Sequence, residues 1–130
     1  MKIAKNIKTI LCDDVRQEIG GKMSLMGIYS KNIIVNKVPA LLPFINLVVM
    51  LEDVREPFDK LFVSVITPKS DPINISYPAP SDIEKGKNIN LVVGFSPFKL
   101  NDVGSAKFEI RFSESGKAGI VHNFSIKTNE

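Results

Sequence analysis

Three carboxylates, one guanidinium and the only cysteine of the chain fall within LCDDVRQEIGGKMSLMGIYS, residues 11–30. Asp13, Asp14 and Glu18, presented together by a loop, would form an oxygen site for a hard cation such as Ca²⁺. The alternating D-x-[DN]-x-[DN]-G frame of a helix–loop–helix calcium site is absent, and the other acidic cluster is Glu52, Asp53 and Glu56. Arg16 lies within sequence reach of all three carboxylates, and turn carboxylates accept backbone N–H bonds, so the segment is satisfied without a ligand. We therefore read it as a structural corner. The chain leaves a sheet at Asp13 and Asp14, Arg16 ties the acids together, and Gly20 and Gly21 reverse the direction. Asp13, Asp14, Arg16 and Glu18 are also the first candidates for a binding surface, with the cation site as the alternative.

Other chemistry is sparse. GGK at Gly20–Lys22 lacks the G-x-x-x-x-G-K-[ST] frame and no helix follows it, which excludes a phosphate loop. His122 is the sole histidine, so a triad or a multi-histidine metal site within one chain would have to rest on this one position. It shares strand parity with Ile120, Phe124 and Ile126, and is expected as a neutral, hydrogen-bonded imidazole on the inward face. Cys12 has no neighbouring histidine and reads as a small semi-buried hydrophobe; as a lone cysteine it allows no intramolecular disulfide. No catalytic residue, metal ligand set or cofactor motif is assigned. Phe58, Tyr77 and Phe98 stand beside prolines near expected loops, where such aromatics anchor a partner or seal the end of a fold. They complete the set of candidate binding residues.

The elements that must position these groups are strands. In AKFEIRFS, Phe108, Ile110 and Phe112 alternate with Lys107, Glu109 and Arg111. FINLVVMLED is apolar on both faces and fits a central strand, with Ile45, Leu47, Val49 and Leu51 on the core side. Leu61, Val63 and Val65, then Ile89, Leu91, Val93 and Phe95, continue the pattern, with a shorter strand through Ile73, Ile75 and Tyr77. Phe108, Ile110, Phe112, Val49 and Leu51 are expected in one core. REPFD, PKSDP, PAPSDIEKGKN, SPFKLNDVGS and SESGKAG separate the runs with turn chemistry. PSDIEKGK is the one candidate helical turn, with Ser81 as its cap. An antiparallel β-sandwich of about seven to nine strands, immunoglobulin-like or C2-like, is the expected fold. A β-barrel is the alternative.

Length and composition agree. With 130 residues and 44% hydrophobic content, the chain is expected to be one globular domain, residues 1–130. A net charge of +3 spread along the chain, with arginine only at positions 16, 55 and 111, argues against nucleic acid. No apolar run approaches the roughly 20 residues of a membrane-spanning helix. The N-terminal residues carry no signal-like apolar run, so a cytoplasmic location is expected.

The stretch CDDVRQEIGGKMSLMGIYSKNIIV, followed by PALLPFINLVVMLEDVREPFDKLFVSV, resembles a family of small uncharacterised proteins from bacteria and their phages. The matching positions are Cys12, Asp13, Asp14, Arg16, Glu18, Gly21, Lys22, Gly27 and Tyr29, then Pro39, Leu42, Pro43, Pro57 and Phe58. The resemblance implies a β-sandwich with no known activity and a place in mobile elements, including interference with a host defence system. Together with the shortage of catalytic residue types, this points to a non-enzymatic module that binds another protein through end loops or a sheet edge. The alternatives are a Ca²⁺-dependent binder or enzyme using the acidic corner, and a structural subunit of a phage assembly.

Overall fold

A computed structural model describes residues 3–129 apart from 82, 115, 117 and 118. The alternating pattern becomes eleven strands and, among the described residues, no helix. In chain order they are β1 (Ala4–Gln17), β2 (Met23–Tyr29), β3 (Asn32–Val35), β4 (Ala40–Leu42), β5 (Ile45–Val54), β6 (Lys60–Ile66), β7 (Ile73–Pro78), β8 (Ile89–Phe95), β9 (Phe98–Leu100), β10 (Gly104–Arg111) and β11 (Ile120–Thr128).

Two open sheets, ordered β2-β1-β5-β8 and β3-β11-β10-β6-β7, face each other, and a small β4-β9 ribbon lies beside them. Neither sheet closes on itself, so the architecture is a β-sandwich and not a barrel. All pairings are antiparallel except β3 with β11. The inward side chains of both sheets form one core, from Leu11, Leu47, Val49 and Leu51 to Val63, Phe108, Ile110 and Ile126. Full burial of each such side chain contributes about 1.5–3 kcal/mol. Phe112 departs from the expected set: it is only half-buried, packed against the edge of the core.

Three expectations of local structure are corrected. The chain does not leave the sheet at Asp13 and Asp14, because β1 runs on to Gln17 and pairs with β2 from Leu11 to Gln17. Cross-strand hydrogen bonds here outweigh the poor strand propensity of aspartate. The reversal comes later, at Glu18–Lys22, where Gly20 and Gly21 take φ of 84° and 75° and Glu18 N donates to Lys22 O at 2.8 Å. PSDIEKGK forms turns and no helix among its described residues, Asp82 lying outside them; its one local backbone bond runs from Lys87 N to Glu84 O. SPFKLNDVGS, expected as a connection, carries β9, which pairs with β4 across Ala40–Leu100, Leu41–Lys99 and Leu42–Phe98. SESGKAG, expected as a connection, lies between β10 and β11, and Ser115, Lys117 and Ala118 within it lie outside the described residues.

Candidate functional site

The acidic residues are divided by the strand that holds them. Successive residues of β1 point to opposite faces, so Asp13 looks towards the core side with Leu11, whereas Asp14 shares the outer face with Cys12 and Arg16. Asp13 Oδ1 accepts from the Tyr29 hydroxyl at 2.5 Å, and the Asp13 carbonyl accepts from Asn46 Nδ2 at 2.9 Å. Gly27, opposite Asp13 in the β1–β2 ladder, has φ of 68° and leaves the space that the Asp13 carboxylate fills. Burial, and after it the Asp13 carboxylate, push the Tyr29 phenol well above the ordinary tyrosine value, so it stays a hydrogen-bond donor.

Asp14 Oδ1 accepts from Val15 N at 2.9 Å, and Glu18 Oε1 accepts from Ser24 Oγ at 3.2 Å. Each acid therefore has its own partner, and among the described residues no three acidic, cysteine or histidine side chains gather as metal ligands would. Arg16 does not tie the acids together as expected. Its Nε lies 3.7 Å from Asp14 Oδ2 in a pair exposed on both sides. Exposed pairs of this kind are worth little, so Arg16→Ala is expected to change stability by less than about 0.5 kcal/mol in chemical denaturation. Millimolar Ca²⁺ is expected to move the thermal midpoint by less than about 1 °C, since a ligand stabilises only what it binds. A rise of several degrees, removed by Asp14→Asn, would restore the cation site.

Cys12 is fully buried rather than semi-buried. Burial, and then the charges of Asp13 and Asp14, push its thiol above the ordinary value of 9.0, which keeps it protonated and a poor nucleophile. The aromatic candidates do not converge. Phe98 is core, in aromatic contact with Phe95 and Phe108. Tyr77 is 40% exposed on the edge strand β7. Phe58 lies where β5 passes to β6, its ring centroid 5.0 Å from that of Phe112.

His122 faces inward from β11, as its parity implies, and shares a 2.7 Å hydrogen bond with Thr9 Oγ1 of β1. This bond joins the two sheets across their flank. Burial holds the imidazole below its ordinary value of 6.5. Between that lowered value and 6.5 the unfolded chain binds the proton more than the folded chain does, so stability falls as pH drops through this window and the loss is complete below it. Denaturation midpoints taken at about pH 5 and about pH 7.5 should differ more for the wild type than for His122→Gln; equal differences would show that the imidazole is not desolvated.

On the same flank both sheets are incompletely covered. β2 pairs with β1 only from Leu11 to Gln17, and β3 pairs with β11 only from Ser125 to Thr128. The chain passes from β2 to β3 halfway down the sandwich. Below that crossing, among the described residues, the edges of Ala4–Ile10 and Ile120–Phe124 carry no strand neighbour on this side. A cleft of about 700 Å³ opens at the lower end, lined by Ile3, by Ala4–Ile7 of β1 and by Glu56, Pro57, Phe58, Asp59, Phe112, Ser113 and Gly119.

The model of a family of unknown function, DUF6941, matches residues 8–121. The chain belongs to this family. No curated protein and no solved structure matches it. The DUF6941 match takes in the paired part of the β1–β2 hairpin, Leu11 to Tyr29, with Asp13 and Gly27, and it stops short of Ala4–Ile7 at the cleft. In this DUF6941 chain Asp13, Gly27 and Tyr29 together form a packing device of the hairpin. Sequence reasoning missed the uncovered flank. The signal for it is a mismatch in length, a β1 of 14 residues beside a β2 of 7, which only the pairing reveals.

Proposed function

We propose that the chain is a non-enzymatic module that binds another protein along the flank left open below the β2–β3 crossing. One observation carries this reading: seven residues of β1, Ala4–Ile10, present a strand edge with no neighbour among the described residues, beside a cleft holding the rings of Phe58 and Phe112. Unpaired strand edges are surfaces on which proteins meet other chains. The engagement of the sole histidine with Thr9 and the burial of the sole cysteine support a role without catalysis. A lone buried thiol supports a cytoplasmic location, and no helix among the described residues is long and apolar enough to cross a membrane. The resemblance to phage-borne proteins makes components of a host defence system the first partners to assay.

A photo-crosslinking residue at Asn6, on the open edge, tests the reading against the same residue at Ser76 on β7. The expected result is one protein adduct from Asn6 alone, identified by mass spectrometry and then reconstituted from purified components. Adducts at neither position, together with a large defined oligomer in light scattering, would replace a binding module with an assembly subunit.

A further inference from the structure

We infer that the partner of the open flank is an extended segment of another protein that adds to β1 as a strand, antiparallel to it and in line with β2, with acidic side chains at its start. This deepens the binding reading and rests on it. The position beside Ala4–Ile10 continues the line that β2 occupies beside Leu11–Gln17, so an added strand inherits a ladder already begun. Its length is fixed at about seven residues, some 23 Å of extended chain.

The side chains of that strand alternate, and the flank dictates both sets. Those facing inward lie across from Ile7 and Thr9 and between the two sheets, where the Thr9–His122 bond already spans the gap. Apolar β-branched residues suit these positions, since Ile7 is packed against the core and cross-strand pairs favour such side chains. Those facing outward meet charge. Lys8 is exposed on the outer face of the edge, and Lys31 is exposed at the crossing above it. At the other end β1 breaks its alternation, Ala4 and Ile7 both packing into the core, and there Glu56 and Asp59 line the cleft together with Lys5. Glu52 accepts from Asn6 Nδ2 at 3.4 Å, but it stands on β5, one strand away from the edge. An antiparallel strand starts beside Ile10 and Lys8 and ends beside Ala4, so acids belong at its beginning and a cation at its end. Opposite charges on directly facing residues favour pairing and like charges oppose it. A second copy of this chain is the poorer occupant: two β1 edges paired antiparallel about Ile7 would bring Lys5 and Lys8 of both copies into one seam.

The experiment uses the full chain and the peptide Glu-Val-Glu-Val-Thr-Val-Lys, blocked at both ends, with amide hydrogen exchange and chemical shifts read by NMR. The expected result is saturable binding at peptide concentrations up to about 1 mM. Exchange should slow at alternate amides between Lys5 and Ile10. The reversed-order peptide Lys-Val-Thr-Val-Glu-Val-Glu should bind roughly tenfold more weakly, and the Lys8→Glu variant should lose the preference between the two. Unchanged exchange between Lys5 and Ile10 at full titration would overturn the inference, as would slowing confined to the edges of β2, β7 or β8. Slowing without peptide that grows with protein concentration, alongside a dimer in light scattering, would overturn it in favour of a second copy. If the peptide fails while the crosslink at Asn6 still captures a reconstitutable partner, strand addition falls and the binding module stands. If both fail, the binding module falls as well.

Discussion

Truncating Phe108 to alanine is expected to lower the folding free energy by about 3–5 kcal/mol. Phe108 is fully buried on β10, a strand with neighbours on both sides, β11 and β6. Its ring centroid lies 5.2 Å from that of Phe124, 5.6 Å from Phe95, 6.1 Å from Phe98 and 6.3 Å from the His122 ring. These partners come from β11, β8 and β9, so the ring ties both sheets to the end ribbon. Alanine would leave a hole lined by aromatic faces that rigid strands cannot close. The cost is then the lost transfer of the ring plus an unrelaxed cavity. Phe112→Ala, by contrast, removes a half-buried ring with one close aromatic neighbour, Phe58, and is expected to cost about half as much. Urea denaturation of both variants checks the order. A loss below about 1 kcal/mol at Phe108 would place that face of β10 outside the core.

The face of each strand could be read in the sequence because side-chain alternation is a local property. Phe108 and Ile110, Leu47 and Val49, and Val63 and Val65 all point where their parity puts them. Partner choice is not local. Nothing in NIIV at Asn32–Val35 announces a parallel pairing with Ser125–Thr128, some ninety positions away, and no run of three residues as short as β4 or β9 carries a readable period. The open flank follows from such long-range pairing and was invisible for the same reason. Parity puts His122 on the inward face it occupies, but its partner across the sandwich, Thr9, follows only from the placing of β1 and β11 on facing sheets. The acidic segment failed differently. Two aspartates suggested a strand end by propensity, whereas pairing with β2 carried β1 on to Gln17. Yet the cross-strand geometry was within reach. A hairpin centred on Gly20 sets Asp13 opposite Gly27 and diagonal to Tyr29, and that diagonal is the bond observed.

That diagonal makes Gly27 the most restricted glycine of the hairpin, and Gly27→Ala is expected to cost about 2.5–5 kcal/mol, the sum of two effects. The backbone φ of 68° lies in the left-handed region, where a Cβ costs roughly 1–2 kcal/mol. The added methyl would also overlap Asp13 Oδ2 and sit 2.8 Å from its Cγ, so the carboxylate must leave its place. Moving it breaks the hydrogen bond from Tyr29, a phenol-to-carboxylate bond of the charge-assisted kind, worth about 1.5–3 kcal/mol, and leaves the half-buried phenol without its acceptor. The two effects separate by experiment. Gly20 has an equally left-handed φ of 84° but open space around its Cβ, so Gly20→Ala should show the backbone cost alone. In an Asp13→Ala background the carboxylate is gone and only the Cβ of position 13, 3.0 Å away, still crowds the new methyl, so Gly27→Ala there should cost less than in the wild type while staying above Gly20→Ala. Thermal and urea denaturation of the four variants closes this cycle. If Gly27→Ala costs as much with Asp13 absent as with it present, the carboxylate is not what excludes a side chain from position 27. The Asp13–Gly27–Tyr29 arrangement would then lose its place as the physical reason for a glycine at position 27.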